Sequence, residues 1–312
     1  MSGSSIKAFA PATVANVSCG FDVLGFAVEN PGDEVEIKLT TKPGIEITSI
    51  LGDQGKLPTD PKLNSASVSI QSYIDYIGYN DGIKMILNKK MPISSGMGSS
   101  AASSVAGVFA INEILNNPLN KKDLLKFALQ GEKIACGSAH ADNAAASLLG
   151  GFILVRSYDP LDIVSLEYPK DLIVIVIHPQ LKIDTKAARK LISSKIKLNS
   201  AVSQLGNIAG LISGLSQKDY NLISRSLIDV IAEPKRSKLI KGYEEIKKTA
   251  IDFGAIGCGI SGSGPSIYAL STNLKKAENI AFEMKNKFKS FDIDSNYYIS
   301  KINDTGAKII NK

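Results

Sequence analysis

Residues Pro92 to Ser100 read Pro-Ile-Ser-Ser-Gly-Met-Gly-Ser-Ser, and no other stretch restricts the fold of this chain as strongly. A strand-like run, Gly82 to Asn88, feeds this turn, and a helix of small residues, Ala101 to Leu115, leaves it. Gly96 and Gly98 permit backbone angles closed to other residues and let an anion approach the main chain without meeting a Cβ. The free N–H groups at the start of the helix, reinforced by its dipole, make a ready anion site. Ser94, Ser95, Ser99 and Ser100 add hydroxyl donors, one of which could also ligate magnesium. No lysine follows the second glycine, so this is not a Walker A loop. A helix merely capped by serine is the plain alternative, but the run is too long and too patterned for a simple cap.

Composition narrows the field. At 312 residues the chain is long for one core, which favours two domains. Hydrophobic residues at 44% and charged residues at 21% belong to a folded protein rather than a disordered one. The net charge of +6 comes mainly from scattered lysines, and the densest cluster, Lys285 to Lys289, holds a single phenylalanine rather than the row of aromatic residues that stacks bases. A solvated lysine surface with no nucleic-acid partner is the reading this supports. No apolar run is long enough for a bilayer, and the N-terminal stretch lacks a basic segment followed by an apolar block. No membrane association and a cytoplasmic location are expected. Cys19, Cys136 and Cys258 lie far apart, as do His140 and His178, which argues against a disulfide framework or a His/Cys metal centre.

Along the chain, Ile6 to Ala10 reads as a strand stopped by Pro11, and Thr13 to Asp22 as a loop. Strands follow at Phe21–Val28 and Glu34–Thr40, separated by a turn at Asn30-Pro31-Gly32. Apolar spacing predicts helices over Ser65–Ile77, Lys121–Ala135 and Asp142–Leu149, with strands at Phe152–Arg156 and Leu172–His178. The segment between those two strands, with Pro160 and Pro169, reads as the junction of domains 1–165 and 166–312. Helices near Thr185–Ser193, Ala201–Gly214, Lys218–Ile231, Leu239–Phe253 and Leu274–Phe288, with strands at Ser266–Leu270 and Asn296–Ile302, complete an α+β pattern.

Three motifs in order carry a family resemblance. The turn at Pro92 closely resembles the ATP loop of the GHMP kinases. The run Ala10-Pro-Ala-Thr-Val-Ala-Asn-Val-Ser-Cys-Gly-Phe-Asp resembles their first motif, and Gly259-Ile-Ser-Gly-Ser-Gly-Pro-Ser their third. The resemblance implies an N-terminal domain like the second domain of ribosomal protein S5 and a ferredoxin-like C-terminal domain. It also implies ATP and Mg2+ as cofactors, with ATP held by Asn64, Pro92, Ile93, Ser94, Ser95, Gly96, Met97, Gly98, Ser99, Ser100, Ala101 and Ala102. Glu132 read alone is a solvated helix charge; the resemblance makes it and Ser100 the metal ligands. Gly257-Cys-Gly-Ile-Ser-Gly also fits a dinucleotide fingerprint, but a helix precedes it and a strand follows, the reverse of what that motif needs.

The substrate is narrowed by four arginines, Arg156, Arg189, Arg225 and Arg236, in a chain that otherwise uses lysine. Arginine is the preferred fork for a carboxylate. Arg156 and Arg225 read as surface ion pairs. Ile183-Asp-Thr-Lys-Ala-Ala-Arg and Ala232-Glu-Pro-Lys-Arg are similar to segments of the homoserine-kinase branch, as is the run from Glu132 through Gly137, Ser138, His140 and Asp142 to Asn143. That likeness implies homoserine bound by Asn16, Asp22, His140, Asn143, Thr185, Arg189, Arg236 and Gly262, its hydroxyl phosphorylated in threonine biosynthesis. Asn16 and Asp22 are the catalytic candidates, with Asp22 either a base or an orienting group, and a homodimer is the expected assembly. A kinase for another alcohol, mevalonate above all, is one alternative. A ligand sensor that has lost the chemistry is another, disfavoured because Glu132, Gly96, Gly98 and Ser100 are all present.

Overall fold

Two long antiparallel strands open the chain, β1 (Ser5–Ala15) and β2 (Leu24–Thr40), paired from Ser5 opposite Lys38 to Ala15 opposite Gly25. This computed structural model describes residues 5–137 and 139–311, so Met1 to Ser4 of the N-terminal stretch and Ser138 lie outside the described residues. β1 does not stop at Pro11 as the sequence suggests. A proline lacks only the N–H, and Pro11 lies beyond the three residues through which β1 pairs on its other side, Lys7 to Phe9. Nor do Asn30, Pro31 and Gly32 form a turn. β2 runs through them as one strand and the register shifts between Pro11 and Thr13 instead.

After β3 (Gly44–Leu51) come α1 (Ser65–Ile77), β4 (Gly82–Asn88) and α2 (Ser99–Ile114). Both ends of α1 fall where its pattern predicts: the Asn64 side chain accepts from the N–H of Ala66, and Gly78 closes the helix at φ 71°. A 3-10 turn capped by Asn120 leads into α3 (Leu125–Cys136), followed by α4 (Ala141–Leu149) and the hairpin β5 (Phe152–Tyr158) and β6 (Leu161–Leu166). Then come β7 (Ile173–Pro179), α5 (Thr185–Lys190), α6 (Leu198–Gln217), α7 (Tyr220–Ser226) and the single turn α8 (Glu233–Arg236). The helix expected to reach Ile231 ends at Ser226, because the Asp229 carboxylate collects the N–H groups of Ile231, Ala232 and Glu233 into a tight turn. α9 (Tyr243–Asp252), β8 (Gly257–Ile260), β9 (Ile267–Ser271), α10 (Leu274–Lys289), β10 (Ser295–Lys301) and β11 (Lys308–Asn311) finish the chain.

The first sheet runs β11-β1-β2-β4-β3, with β5 on the early part of β2 and β6 beyond it. The second runs β10-β7-β9-β8, all antiparallel. Counted in chain order that is 4-1-3-2, with helices in the first and last crossovers, which is the ferredoxin-like arrangement. Gly257 to Ile260 is itself a strand and the turn after it enters another strand, so no dinucleotide helix exists there.

β7 explains how the two halves hold together. Ile173, Ile175 and Ile177 pack with α9 and α10, whereas Val174 and Val176 join Tyr268 and Leu270 in the core of the first sheet. Phe26 meets Phe152 at 4.7 Å within the first sheet and Tyr268 edge-on at 6.2 Å across that junction. Each large apolar side chain buried this way contributes about 1.5–3 kcal/mol. The continuous core fixes the β4–α2 turn of one half against the β8–β9 turn of the other.

Candidate active site

Ser94, Gly96 and Gly98 take φ of 57°, 79° and 68°, folding the β4–α2 turn tightly onto the start of α2. A Cβ on Gly98 would lie 2.1 Å from Thr13 Oγ1 and 2.7 Å from Asn143 Oδ1, so glycine is required there. Three hydrogen bonds staple the turn to both halves. Thr13 donates its N–H to the Met97 carbonyl (3.0 Å), Ser266 its N–H to the Ser95 carbonyl (3.1 Å), and Ser261 its hydroxyl to the Gly96 carbonyl (2.7 Å).

Under the turn lies a buried ion pair, Lys89 with Asp33. Lys89 Nζ also donates to the Ser99 carbonyl at 3.0 Å and to Ser103 Oγ at 2.7 Å. Asp33 collects the N–H groups of Lys90 and Met91 and the hydroxyls of Ser99 and Ser103. This network sets the exit of β4 and the first turn of α2, and breaking such a pair costs about 3–5 kcal/mol. Sequence reasoning missed both residues; 56 positions separate them and no local motif joins them.

The Ser100 hydroxyl is hydrogen-bonded to Glu132, whose other oxygen lies 3.7 Å from His140 Nδ1. Glu132 is 2% exposed, so it is not the solvated charge its local sequence suggests. Among the described residues no group of three or more His, Cys, Asp or Glu side chains could hold a metal ion. One carboxylate with one hydroxyl suits Mg2+, which takes few protein ligands and keeps several waters.

Beside this corner, the loop after β1 places Asn16 and Asp22 at φ 69° and 60°. Asn16 accepts from the N–H of Asp22 at 2.9 Å and donates to the Gly262 carbonyl at 2.8 Å. Arg236 Nη1 donates to the same carbonyl at 2.9 Å, and Arg189 forms an ion pair with Asp22. Both guanidinium groups lie against the Phe21 ring, at 4.9 Å for Arg189 and 5.1 Å for Arg236. Thr185, at the start of the α5 turn capped by Asp184, sits 3.2 Å from Ser263 Oγ. Arg156, by contrast, pairs with Asp162 on the surface, as its sequence context suggests.

One cavity of about 450 Å³ joins these groups. Asn16, Asp22, His140, Asn143, Thr185, Arg189, Arg236 and Gly262 all line it, with Ser100 and Glu132. Of the anticipated ATP set, Asn64, Ile93, Ser94, Ser95, Gly96, Gly98 and Ser99 line it too, while Pro92, Met97, Ala101 and Ala102 do not. Met97, Ala101 and Ala102 are buried in the packing that supports the turn. Asn64 is held as the cap of α1, its amide also donating to the Pro58 carbonyl.

Asp142, absent from the sequence-derived set, also lines the cavity. Burial pushes its carboxyl up to about 6, with His140 opposing and Asp22 adding to the rise. The folded protein therefore holds a proton that the unfolded chain releases near 3.8. This contribution to stability is full below that value and is lost as pH rises through about 6. Asp142→Asn mimics the neutral acid. Thermal melts of the ligand-free protein should show the variant gaining on the parent as pH rises from about 4, the gap levelling off above about pH 6 at up to about 3 kcal/mol. A gap that does not change with pH would contradict this.

The chain matches the GHMP kinases N terminal domain over residues 64–151 and the GHMP kinases C terminal domain over residues 200–290. It is 46% identical to a homoserine kinase of Chlorobaculum tepidum, covering 98% of each chain, and 37% identical to one of Pyrococcus abyssi, covering 97% of this chain and 98% of the relative. The crystal structure of homoserine kinase from Cytophaga hutchinsonii superposes with a TM-score of 0.97 at 56% identity, over 99% of this chain and 98% of that one. A mevalonate kinase from L. major in complex with R-mevalonate shares the fold, at a TM-score of 0.72 and 16% identity, over 98% of this chain and 99% of that one.

Proposed function

The chain belongs to the GHMP kinase family, and from that premise we propose that it transfers the γ-phosphoryl group of ATP to the side-chain hydroxyl of L-homoserine, giving O-phospho-L-homoserine for threonine biosynthesis. The observation that carries the choice of substrate is the pairing of two arginines with Asp22 and the Gly262 carbonyl beside the phosphate turn. A fork of cations suits a carboxylate, and a carboxylate with a hydroxyl three carbons along is what homoserine presents.

Phosphoryl transfer is chiefly positioning and charge neutralisation. The N–H groups and hydroxyls of the β4–α2 turn hold the phosphates. Ser100 and Glu132 would hold Mg2+, which when bound offsets charge on the β- and γ-oxygens. Arg189, Arg236 and Thr185 take the carboxylate, while His140 and Asn143 line the same pocket. Because Arg189 is paired with Asp22 in the ligand-free protein, an arriving carboxylate competes for it and frees Asp22 to accept from the hydroxyl. That oxygen then attacks the γ-phosphorus as the bond to ADP breaks. Its proton passes to Asp22 or to the transferred phosphoryl group. A homodimer in the cytoplasm is the assembly and location that go with this reading.

Asp22→Asn tests it. The amide keeps the shape of the loop but loses the charge that orients the hydroxyl. Turnover with homoserine should fall about 100-fold or more, with ATP affinity unchanged. Parent-like turnover would remove Asp22, and with it the proposed hydroxyl pocket.

A further inference from the structure

Among the described residues, few buried side-chain atoms lack a hydrogen-bond partner, and two of them, Glu233 Oε2 and Arg236 Nε, belong to residues that line the same small cavity. That cavity, of about 10 Å³, lies behind the substrate pocket and is bounded by Asn16, Ser18, Asp229 and Gly262. It is about the size that admits one water. An unpaired buried guanidinium N–H and an unpaired buried carboxylate oxygen, on two residues that share such a space, can be joined by a single water.

We propose that Glu233 is a positioning residue for the substrate-binding Arg236, acting through one buried water that bridges Glu233 Oε2 and Arg236 Nε. This inference rests on the reading that Arg236 binds the substrate carboxylate. Arg236 is fixed at one end by Nη1 on the Gly262 carbonyl. A single hydrogen bond leaves the guanidinium plane free to pivot; a second, on Nε, sets its tilt and directs the remaining N–H groups at the cleft.

Glu233 is itself anchored. Its other carboxylate oxygen pairs with Lys247 of α9, and its own N–H is held by Asp229. The Tyr243 hydroxyl, also buried, lies beside the Glu233 carboxyl and interacts with it. Burial raises the Glu233 carboxyl and Lys247 opposes the rise. The first glycine of the third motif fits the same account. A Cβ on Gly259 would come 2.4 Å from Ser18 Oγ and 3.4 Å from Glu233 Oε2, crowding the wall of this cavity.

Steady-state kinetics of Glu233→Gln, Arg236→Lys and the double variant separate the possibilities. Glu233→Gln should raise KM for homoserine about tenfold, as expected for weakening a buried hydrogen bond to a charged group, with kcat and KM for ATP little changed. In the Arg236→Lys background, which has no Nε, the same change should add almost nothing. If Arg236→Lys raises KM but Glu233→Gln does not, or if their effects simply multiply, the positioning role is overturned. If Arg236→Lys leaves KM for homoserine unchanged, the carboxylate reading itself has failed. Should Glu233→Gln fold poorly, a high-resolution crystal structure of the parent decides: an ordered water bonded to both atoms is expected, and a dry cavity or a direct contact overturns the proposal.

Discussion

Glu132→Gln is expected to lower kcat for homoserine phosphorylation at least about 100-fold, at unchanged KM for homoserine. Glu132 is almost wholly removed from solvent on α3, with one oxygen on the Ser100 hydroxyl and the other facing His140. Glutamine has the same shape and keeps an acceptor for Ser100, so α2, α3 and the turn between β4 and α2 should stay in place. What is lost is a negative charge at the point where Mg2+ would sit against the phosphates. The half-saturating magnesium concentration should therefore rise along with the loss of turnover, while the melting temperature of the ligand-free protein stays close to that of the parent. Kinetics across a magnesium titration check this. Parent-like kcat and magnesium dependence would exclude Glu132 as a ligand.

Gly96→Ala should be nearly as damaging, for a steric rather than an electrostatic reason. Gly96 holds φ of 79°, and a Cβ there would lie 2.5 Å from the Ser261 carbonyl oxygen and 2.7 Å from that of Gly264. Neither neighbour is a flexible side chain that can swing aside. The turn must lift, breaking the Ser261 and Ser266 hydrogen bonds that tie it to the second sheet. The displaced β8–β9 turn carries the Gly262 carbonyl on which Asn16 and Arg236 are both aligned. Loss should thus appear in both substrates, with kcat/KM down about 100-fold or more for ATP and for homoserine. A variant with parent-like kcat/KM for both would show that the close approach of the two turns is dispensable.

How much of this was legible in the chain depends on how local the signal is. The phosphate turn, the caps of α1 and the span of α10 could be read because glycine placement, Asn64 and apolar spacing act within a few residues. The edge strands β3 and β11 could not, since partners far along the chain make them strands, and β6 and β8, though paired with the adjacent strand, are too short to carry a clear alternation. Pro11 and Pro31 misled for a related reason. Whether a proline breaks a strand depends on which neighbour needs its N–H, and only the assembled sheet decides that. In the site, each motif located its own residues, while the supports that couple motifs stayed hidden. Lys89 with Asp33 beneath the turn is a contact between segments that no local pattern joins.

Phosphorylation of a hydroxyl amino acid in this cleft is the proposed activity. Its most direct test is ADP release with ATP and Mg2+ against homoserine, mevalonate, galactose, serine and threonine. Turnover confined to homoserine is the predicted result, because the proposed reading puts the carboxylate on Arg189 and Arg236 and a hydroxyl three carbons along at Asp22. Turnover on mevalonate or galactose, or none on any of the five with ATP still bound, would contradict it.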